Sequence, residues 1–226
     1  MRVLAIDTAL ANCAAAVCDD SAATPCLEVS SEEIGRGHAE KLMDMIGEVM
    51  AESSTAFTDL DRVVVTTGPG SFTGLRVGLS VARGFGLVLG KPVVGVTTLA
   101  ALACSAANDP KAGSSILVAL TGKGEEVYCQ VFNGHGEPAG EPAVRTLTDL
   151  RSSLPADVTF AGSAARAVAE AAGYGEERIL SECGYPDIRD VARLGISADP
   201  KQAVPVPLYL RPPEASPPKS GRIERQ

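Results

Sequence analysis

Hydrophobic and polar residues alternate along the chain in short blocks, and the clearest of these blocks covers residues 62–90. Residues 63–67 form a β-branched run, which is typical of a strand buried on both faces. The Gly-Pro-Gly-Ser segment at residues 68–71 predicts a tight turn. Residues 74–89 contain neither proline nor an acidic residue. We therefore predict a long apolar helix after the turn.

The same pattern of short blocks predicts two related lobes. Apolar runs between turn residues predict further strands at residues 2–7, 13–18, 25–30, 91–96, 115–121, 126–132, 142–146, 158–161 and 179–180. Segments with one apolar face predict further helices at residues 37–52, 99–107, 148–154, 164–172 and 187–194. Each half of the chain thus has the order β-β-β-α-β-α-β-α, and a unit that occurs twice indicates a duplicated architecture. We predict an α/β protein with lobes at residues 1–99 and 100–211, the second ending in an extended segment. Residues 212–226 are predicted to form a disordered, proline-rich tail.

Small residues recur every fourth position in the long apolar helix. They are Gly74, Gly78, Ala82, Gly86 and Gly90. Glycine is unfavourable inside a helix, and the three at positions 78, 84 and 86 destabilise it by roughly 2–3 kcal/mol relative to alanine. Close approach of another backbone would offset this loss. That backbone belongs either to the chain's own sheet and helices or to another protein.

The helix predicted at residues 37–52 has one apolar face, and the helix contains three of the four methionines, Met43, Met45 and Met50. Methionine is frequent on surfaces that bind partners, and it is also common in cores. A core-facing stripe is the simpler interpretation for each of the three.

Composition limits the class of protein. The hydrophobic content of 45% supports a substantial core, and the net charge of −8 disfavours strong nucleic-acid binding by this chain alone. Binding within a complex that contains a basic subunit remains possible.

We expect a cytoplasmic protein. Asp7 follows only four apolar residues, so no secretory signal is predicted. The apolar stretch at residues 77–96 contains Arg83, Lys91 and Pro92, which argue against a membrane span. The six cysteines show no metal-ligand spacing and are expected to be reduced core thiols. They are Cys13, Cys18, Cys26, Cys104, Cys129 and Cys183.

Few residues form a recognisable chemical motif. Asp7 and Thr8 end the first strand, where an α/β sheet binds ligands, so they are weak candidates for a magnesium–nucleotide site. The turn at residues 68–74 could hold an anion at a helix N-terminus, but no P-loop lysine follows Gly74. Ser71 and Thr73 are better explained as turn and cap residues than as nucleophiles. A metal ligand one turn after His38 would fall on Leu42, so no metal site is predicted.

Four segments resemble the bacterial TsaB (YeaZ) family. They are LAIDT at residues 4–8, RGHAEKL at 36–42, TGPGSFTGLRVG at 67–78 and PLYLR at 207–211. The resemblance covers most of the chain up to residue 211, and GPGSFTGLR is its most specific part. It implies an actin-like ATPase-domain (ribonuclease H-like) fold with two related βββαβαβα lobes.

The resemblance also implies a function. TsaB-family proteins are partners of TsaD, which acts with TsaE to transfer a threonylcarbamoyl group from threonylcarbamoyl-adenylate to the adenosine next to the anticodon of tRNAs reading codons that begin with A. TsaD holds a metal through an HxxxH pattern, of which only His38 is present here. The expected function is therefore that of a non-catalytic subunit without an intrinsic cofactor, in which ATP and magnesium belong to the complex and tRNA contacts come through it.

In this family the first two long helices contact TsaD, and the corresponding residues are our candidate interface. They are His38, Leu42, Met43, Met45, Ile46, Val49, Arg76, Gly78, Ala82 and Gly86. A homodimer through the same faces is possible when TsaD is absent. The alternative function is an independent ATPase or small-molecule kinase on the same fold. With the family resemblance, we expect the small-residue stripe to meet a partner.

Overall fold

A computed structural model describes residues 1–21, 26–151 and 154–211. The predicted tail at residues 212–226 lies outside the described residues, as does residue 25 of the predicted third strand. The strands are β1 Arg2–Asp7, β2 Asn12–Asp19, β3 Cys26–Glu33, β4 Arg62–Gly68, β5 Val93–Thr97, β6 Ser115–Thr121, β7 Glu126–Asn133, β8 Ala143–Thr146, β9 Val158–Ala161 and β10 Ile179–Ser181. The helices are α1 His38–Glu52, α2 Phe72–Leu89, α3 Thr98–Ala106, α4 Leu147–Leu150, α5 Ala165–Ala172 and α6 Ile188–Ser197.

The predicted duplication is confirmed by the sheets. One five-stranded sheet has the order β3-β2-β1-β4-β5, and the other has β10-β9-β6-β7-β8. In the first, β1 pairs antiparallel with β2 and parallel with β4. In the second, β6 pairs antiparallel with β7 and parallel with β9. The two sheets are therefore copies of one unit, with β6 in the place of β1.

The central strands are buried on both faces, as their continuous apolar sequences predict. In β1 and β4, Leu4 and Val63 contribute to a cluster that includes residues of α1 and α2. Their neighbours Val3 and Val64 contribute to a second cluster with residues of α6. Because strand side chains alternate between faces, each sheet needs helices on both sides.

The helices that cover the inner faces are exchanged between the lobes. α6 follows the second sheet but packs against β1, β2 and β4 of the first, whereas α3 follows the first sheet and packs against β6 of the second. Arg62 of β4 supports this exchange, since its Nη1 donates to the Ala198 carbonyl 2.7 Å away, just beyond α6. The predicted boundary between residues 99 and 100 lies inside α3.

The extended segment after α6 returns to the first lobe. Gly95 N donates to the Ala203 carbonyl, and Leu208 N donates to the Thr67 carbonyl at 2.7 Å. The ring of Tyr209 stacks near that of Phe72 at the start of α2, with 5.3 Å between the centroids. This segment ties the end of the second lobe to the first helical turn of α2.

The structure corrects three expectations. The helix predicted at residues 148–154 is the four-residue α4, and residues 152–153 lie outside the described residues. Cys18 is disulfide-bonded rather than reduced. Cys183 is free but exposed and therefore not a core thiol, whereas Cys13 and Cys129 are free and buried. The spacing of the cysteines along the sequence did not predict the disulfide bond of Cys18. The antiparallel pairing of β2 with β3 determines which residues lie opposite Cys18.

Among the described residues, α2 alone has the length and composition of a membrane-spanning helix. Its mean hydropathy over 18 residues is 1.3, and 28% of these residues are buried in the protein. Helices in the core of other proteins pass the same test. In this structure Val77, Val81, Phe85 and Leu89 are partly buried against the core. The exposed large apolar residues of α2 are Phe72, Leu87 and Val88.

Candidate functional site

The turn that begins α2 is held against the turn between β1 and β2. A Cβ atom at Gly70 would lie 2.2 Å from the Ala9 carbonyl oxygen, and one at Gly74 would lie 2.1 Å from that of Thr8. Ser71 N donates to the Ala9 carbonyl at 2.7 Å. The side chain of Ser71 accepts a hydrogen bond from Gly74 N, which confirms Ser71 as a cap residue. The glycines of the GPGSFTG segment thus allow two turns to touch.

Asp7 and Thr8 are used inside the chain. Asp7 is fully buried, and its Oδ1 accepts hydrogen bonds from Ala9 N at 3.0 Å and Thr66 Oγ1 at 2.5 Å. Thr8 Oγ1 donates to the Gly74 carbonyl at 2.7 Å. Both side chains are buried and hydrogen-bonded within the chain in this arrangement, and a nucleotide site at these residues stays a prediction.

The Asp7 carboxyl is nevertheless unusual. Burial raises its pKa above the ordinary value, while the hydrogen bonds from Thr66 and Ala9 and the nearby His38 oppose the rise. Its Oδ2 is buried without a hydrogen-bond partner. An unpaired carboxylate oxygen in a dry site disfavours the charged form.

An interlobe cleft with a volume of about 500 Å³ lies beside the same turns. Leu10 and Ser71 line it from the first lobe, and Lys123 and Tyr128 line it from the second. Arg211 also lines the cleft and forms an ion pair with Glu126, with 3.2 Å between Nη1 and Oε2. The arrangement could admit a small molecule without involving Asp7.

His38 supports the β1–β2 turn. It begins α1, is 8% exposed, and its Nε2 lies 2.9 Å from the Leu10 carbonyl. Leu42, one turn later, is buried in the core. Within residues 1–21, 26–151 and 154–211, no three His, Cys, Asp or Glu side chains form a group that could hold a metal ion.

The small-residue stripe of α2 faces the chain's own sheet, which corrects our expectation that it meets a partner. A Cβ atom at Gly78 would lie 2.5 Å from Thr8 Oγ1, and one at Gly86 would lie 2.3 Å from a Val93 methyl group. Ala82 is fully buried. The stripe lets α2 pack closely against β1 and β5, and this packing offsets the low helix propensity of glycine.

Most of the candidate interface residues on α1 are also core residues. Leu42, Met45, Ile46 and Val49 are at most 4% exposed and pack against the first sheet. The 3.6-residue apolar period therefore identified the face that the chain itself covers. Of the ten candidates, Met43 and Arg76 are exposed.

A different surface of the two helices is open. We call it the outer face, and it consists of Ala39, Met43, Gly47, Arg76, Ser80, Gly84, Leu87 and Val88, all exposed. Leu87 is 86% exposed and Val88 is 83% exposed. Sequence reasoning missed this pair, although both residues lie off the small-residue stripe on a helical projection. Their position outside the stripe was the sequence signal that could have indicated their exposure.

Comparisons with known proteins agree with this architecture. A family model described as TsaD, tRNA N6-adenosine threonylcarbamoyltransferase, matches residues 29–193. The tRNA threonylcarbamoyladenosine biosynthesis protein TsaB of Escherichia coli is 34% identical over 143 residues. The solved structure of YeaZ from Pseudomonas aeruginosa superposes with a TM-score of 0.74 at 25% identity, covering 92% of this chain and all of that one.

The chain belongs to the TsaB (YeaZ) family. The match to the E. coli TsaB protein covers 61% of this chain and 60% of that protein, which is less than two thirds of its length. The likeness extends to component A of (R)-2-hydroxyglutaryl-CoA dehydratase from Acidaminococcus fermentans, with a TM-score of 0.51, 12% identity, and coverage of 90% of this chain and 99% of that one. At that identity it concerns the fold alone, which is the predicted actin-like ATPase-domain fold. In this TsaB-family chain, the outer face and the interlobe cleft are two of the open surfaces among the described residues.

Proposed function

We propose that this chain is a non-catalytic subunit that binds TsaD and, together with TsaE, supports threonylcarbamoyl transfer to the adenosine next to the anticodon of tRNA. Membership in the TsaB family supports the assignment of this chain to tRNA modification, since the E. coli relative is described as a tRNA threonylcarbamoyladenosine biosynthesis protein. The proposed location is the cytoplasm, and tRNA is contacted through the complex. ATP and magnesium act at the level of the complex.

The observation that carries the proposal is the apolar outer face. Met43, Leu87 and Val88 are 50%, 86% and 83% exposed on two helices whose other sides are packed. Neighbouring Phe57 and Phe85 stack with 5.2 Å between their ring centroids, which extends the apolar surface at the same end of α2. Large apolar side chains exposed on a folded protein can mark a binding site. We therefore assign TsaD to this face.

A second candidate function is that of an actin-fold ATPase or small-molecule kinase, and the interlobe cleft favours it. Catalysis in that cleft would have to use residues other than Asp7 and Thr8, which are buried. Titration of the isolated protein with Mg-ATP separates the two functions. Tight binding with turnover would support the enzyme, and heat changes no larger than those of a buffer titration would support the subunit.

Replacing Leu87 and Val88 together by glutamate tests the proposed binding face. Burying a leucine or valine side chain contributes about 1.5–3 kcal/mol, so the double variant should lose at least about 3 kcal/mol of binding free energy, roughly a hundredfold in Kd. The measurement is titration calorimetry with purified TsaD, with circular dichroism to show that both proteins remain folded.

Val204→Glu/Val206→Glu is the matched control, because these valines are 55% and 56% exposed outside the outer face. It should bind TsaD as the wild type does. Equal affinity of all three proteins for TsaD would contradict the assignment. Sedimentation of the wild type alone would also reveal a homodimer through the same face, which TsaD should displace.

A further inference from the structure

The first sheet has an open edge at β3, which is its outermost strand and pairs with β2. Ile34 N donates to the Ala11 carbonyl just beyond the paired residues. Since hydrogen bonds alternate along an antiparallel pair, the N–H and C=O groups of Val29, Ser31 and Glu33 point away from β2. We call their N–H groups the outward amides. Among the described residues, no backbone group bonds to them.

A pocket lies beside this edge, on the inner face of the sheet. Its volume is about 250 Å³, and its lining includes Val29, Ser31, Tyr185 and Ile188. The Tyr185 hydroxyl donates to Glu33 Oε2 at 3.3 Å, so the loop before α6 forms the wall opposite the strand. An extended segment added to β3 would place every second side chain in or next to this pocket.

The edge carries an excess of negative charge. Glu28 and Glu33 have no ion-pair partner among the described residues. The neighbouring charges that are paired are Glu32 with Lys41 and Asp187 with Arg189. A segment that combines basic residues with one apolar side chain would therefore complement both the edge and the pocket.

Residues 219–226 of this chain, KSGRIERQ, have that composition. Their basic residues are Lys219, Arg222 and Arg225, their acidic residue is Glu224, and their large apolar residue is Ile223. They contain no proline, so every N–H group is available for pairing with a strand, whereas residues 212–218 contain four prolines.

Residues 212–218 are long enough to bring this segment to β3. Arg211 and Leu10 line the same cleft, and Ala11 accepts a hydrogen bond from the residue that directly follows β3. β3 lies two strands from β1, which is about 10 Å at the usual strand spacing. Seven extended residues span roughly 20 Å. A segment arriving from the cleft meets the Glu33 end of β3 first and would run antiparallel to the strand.

We propose that residues 219–226 add a sixth strand to the first sheet, antiparallel to β3. Pairing Ile223 with Val29 places the isoleucine side chain at the pocket, and the same register brings Lys219 opposite Glu33. The outward amides gain acceptors, and a strand edge that could join other chains is covered. Part of the tail that the sequence alone predicts to be disordered is ordered by the chain's own edge.

Amide hydrogen exchange, measured by NMR on the full chain and on a chain truncated after Arg211, tests the added strand. The outward amides should exchange at least about tenfold more slowly in the full chain, because hydrogen-bonded amides exchange only after opening. The amides of Ser30 and Glu32 face β2 and should exchange equally in both chains, which also shows that the truncated chain is folded. Equal exchange of the outward amides in the two chains would overturn the proposal.

Ile223→Asp tests the register, and Ala215→Asp is its matched control within residues 212–218. The first variant should remove the slow exchange of the outward amides, because a carboxylate loses hydration in an apolar pocket. The control makes the same charge change outside the added strand and should keep the slow exchange. Slow exchange in both variants would show that Ile223 does not occupy the pocket, and the proposed register would be wrong.

Arg222→Glu tests the charge pairing. In the proposed register Arg222 lies opposite Ser30 and between Glu28 and Glu32 on one face of the sheet. The variant should speed exchange of the outward amides by at least about fivefold at low salt and by less at high salt, because salt screens exposed charges. An effect no larger than that of Lys201→Glu, an equal charge change at an exposed residue after α6, would overturn the pairing.

The dependence of exchange on protein concentration identifies the occupant of the edge. Pairing within one chain predicts the same slow exchange over an about tenfold range of concentration, whereas pairing between copies strengthens with concentration. Slow exchange that appears only at the higher concentration would mean that a second copy supplies the strand, and the proposal would be wrong. None of these measurements involves TsaD, so their outcome is independent of the proposed function.

Discussion

At the scale of single residues, Asp7 shows how a polar group at the end of a central strand can serve the fold. Its position predicted a ligand site, yet Oδ1 is used by Ala9 and Thr66, and Oδ2 is buried without a partner. The carboxyl holds the β1–β2 turn in place. Because the pKa of Asp7 is raised in the folded protein, its protonation makes the free energy of unfolding depend on pH.

Asp7→Asn should reduce the dependence of stability on pH. The pKa of Asp7 in the folded protein lies above the ordinary value of 3.8, so its contribution is most favourable at acidic pH and is lost as the pH rises through the raised value. Asparagine keeps the acceptor oxygen and carries no charge. The free energy of unfolding of the variant, minus that of the wild type, should therefore increase from pH 4 to pH 8. Urea denaturation across this range measures it, and a constant difference would show that Asp7 does not titrate with a raised pKa.

At the scale of elements, α2 has two glycine-containing faces with different roles. The face with Gly74, Gly78 and Gly86 contacts the chain itself, whereas Gly84 is open. Propensity does not separate the two sets, because all four glycines lie in one apolar helix, whereas the four-residue spacing groups Gly74, Gly78 and Gly86 and leaves Gly84 out. Their roles follow from what the sheet places opposite each of them.

Gly74→Ala and Gly84→Ala form a matched pair in one helix. The first places a methyl group 2.1 Å from the Thr8 carbonyl oxygen, so the turns must separate, and stability should fall by about 1–3 kcal/mol or more. The second should raise stability by about 1 kcal/mol. Thermal and urea unfolding of the two variants provide the test. A loss of stability in both would mean that the open space around Gly84 is not present in solution.

Much of the fold could be predicted from the sequence, because β-branched runs and turn residues mark the strands of both sheets locally. The duplicated order of strands and helices followed from them. The exposed surface of α1 and α2 was predicted less well, since Leu42, Ile46 and Val49 have the period that any core-facing helix requires. The exposure of Leu87 and Val88 depends on which side of α2 the sheet covers, and the one sequence signal for it is that both residues lie off the small-residue stripe.

At the scale of the whole molecule, the two lobes are tied together by exchanged parts. α6 covers the inner face of the first sheet, α3 covers that of the second, and the final segment passes from the first lobe to Glu126 of the second. This arrangement leaves the interlobe cleft small and the outer sides of α1 and α2 uncovered. The uncovered helices, together with the family's role in tRNA modification, favour a subunit that works by binding another protein.

The central claim is that the chain is required by TsaD and does not perform the transfer itself. The most direct measurement is threonylcarbamoyladenosine formation on tRNA from threonylcarbamoyl-adenylate, with TsaD, TsaE and this chain each omitted in turn. We predict full activity only with the complete set and none with the chain alone. Undiminished product without the chain, or product from the chain without TsaD, would contradict the account.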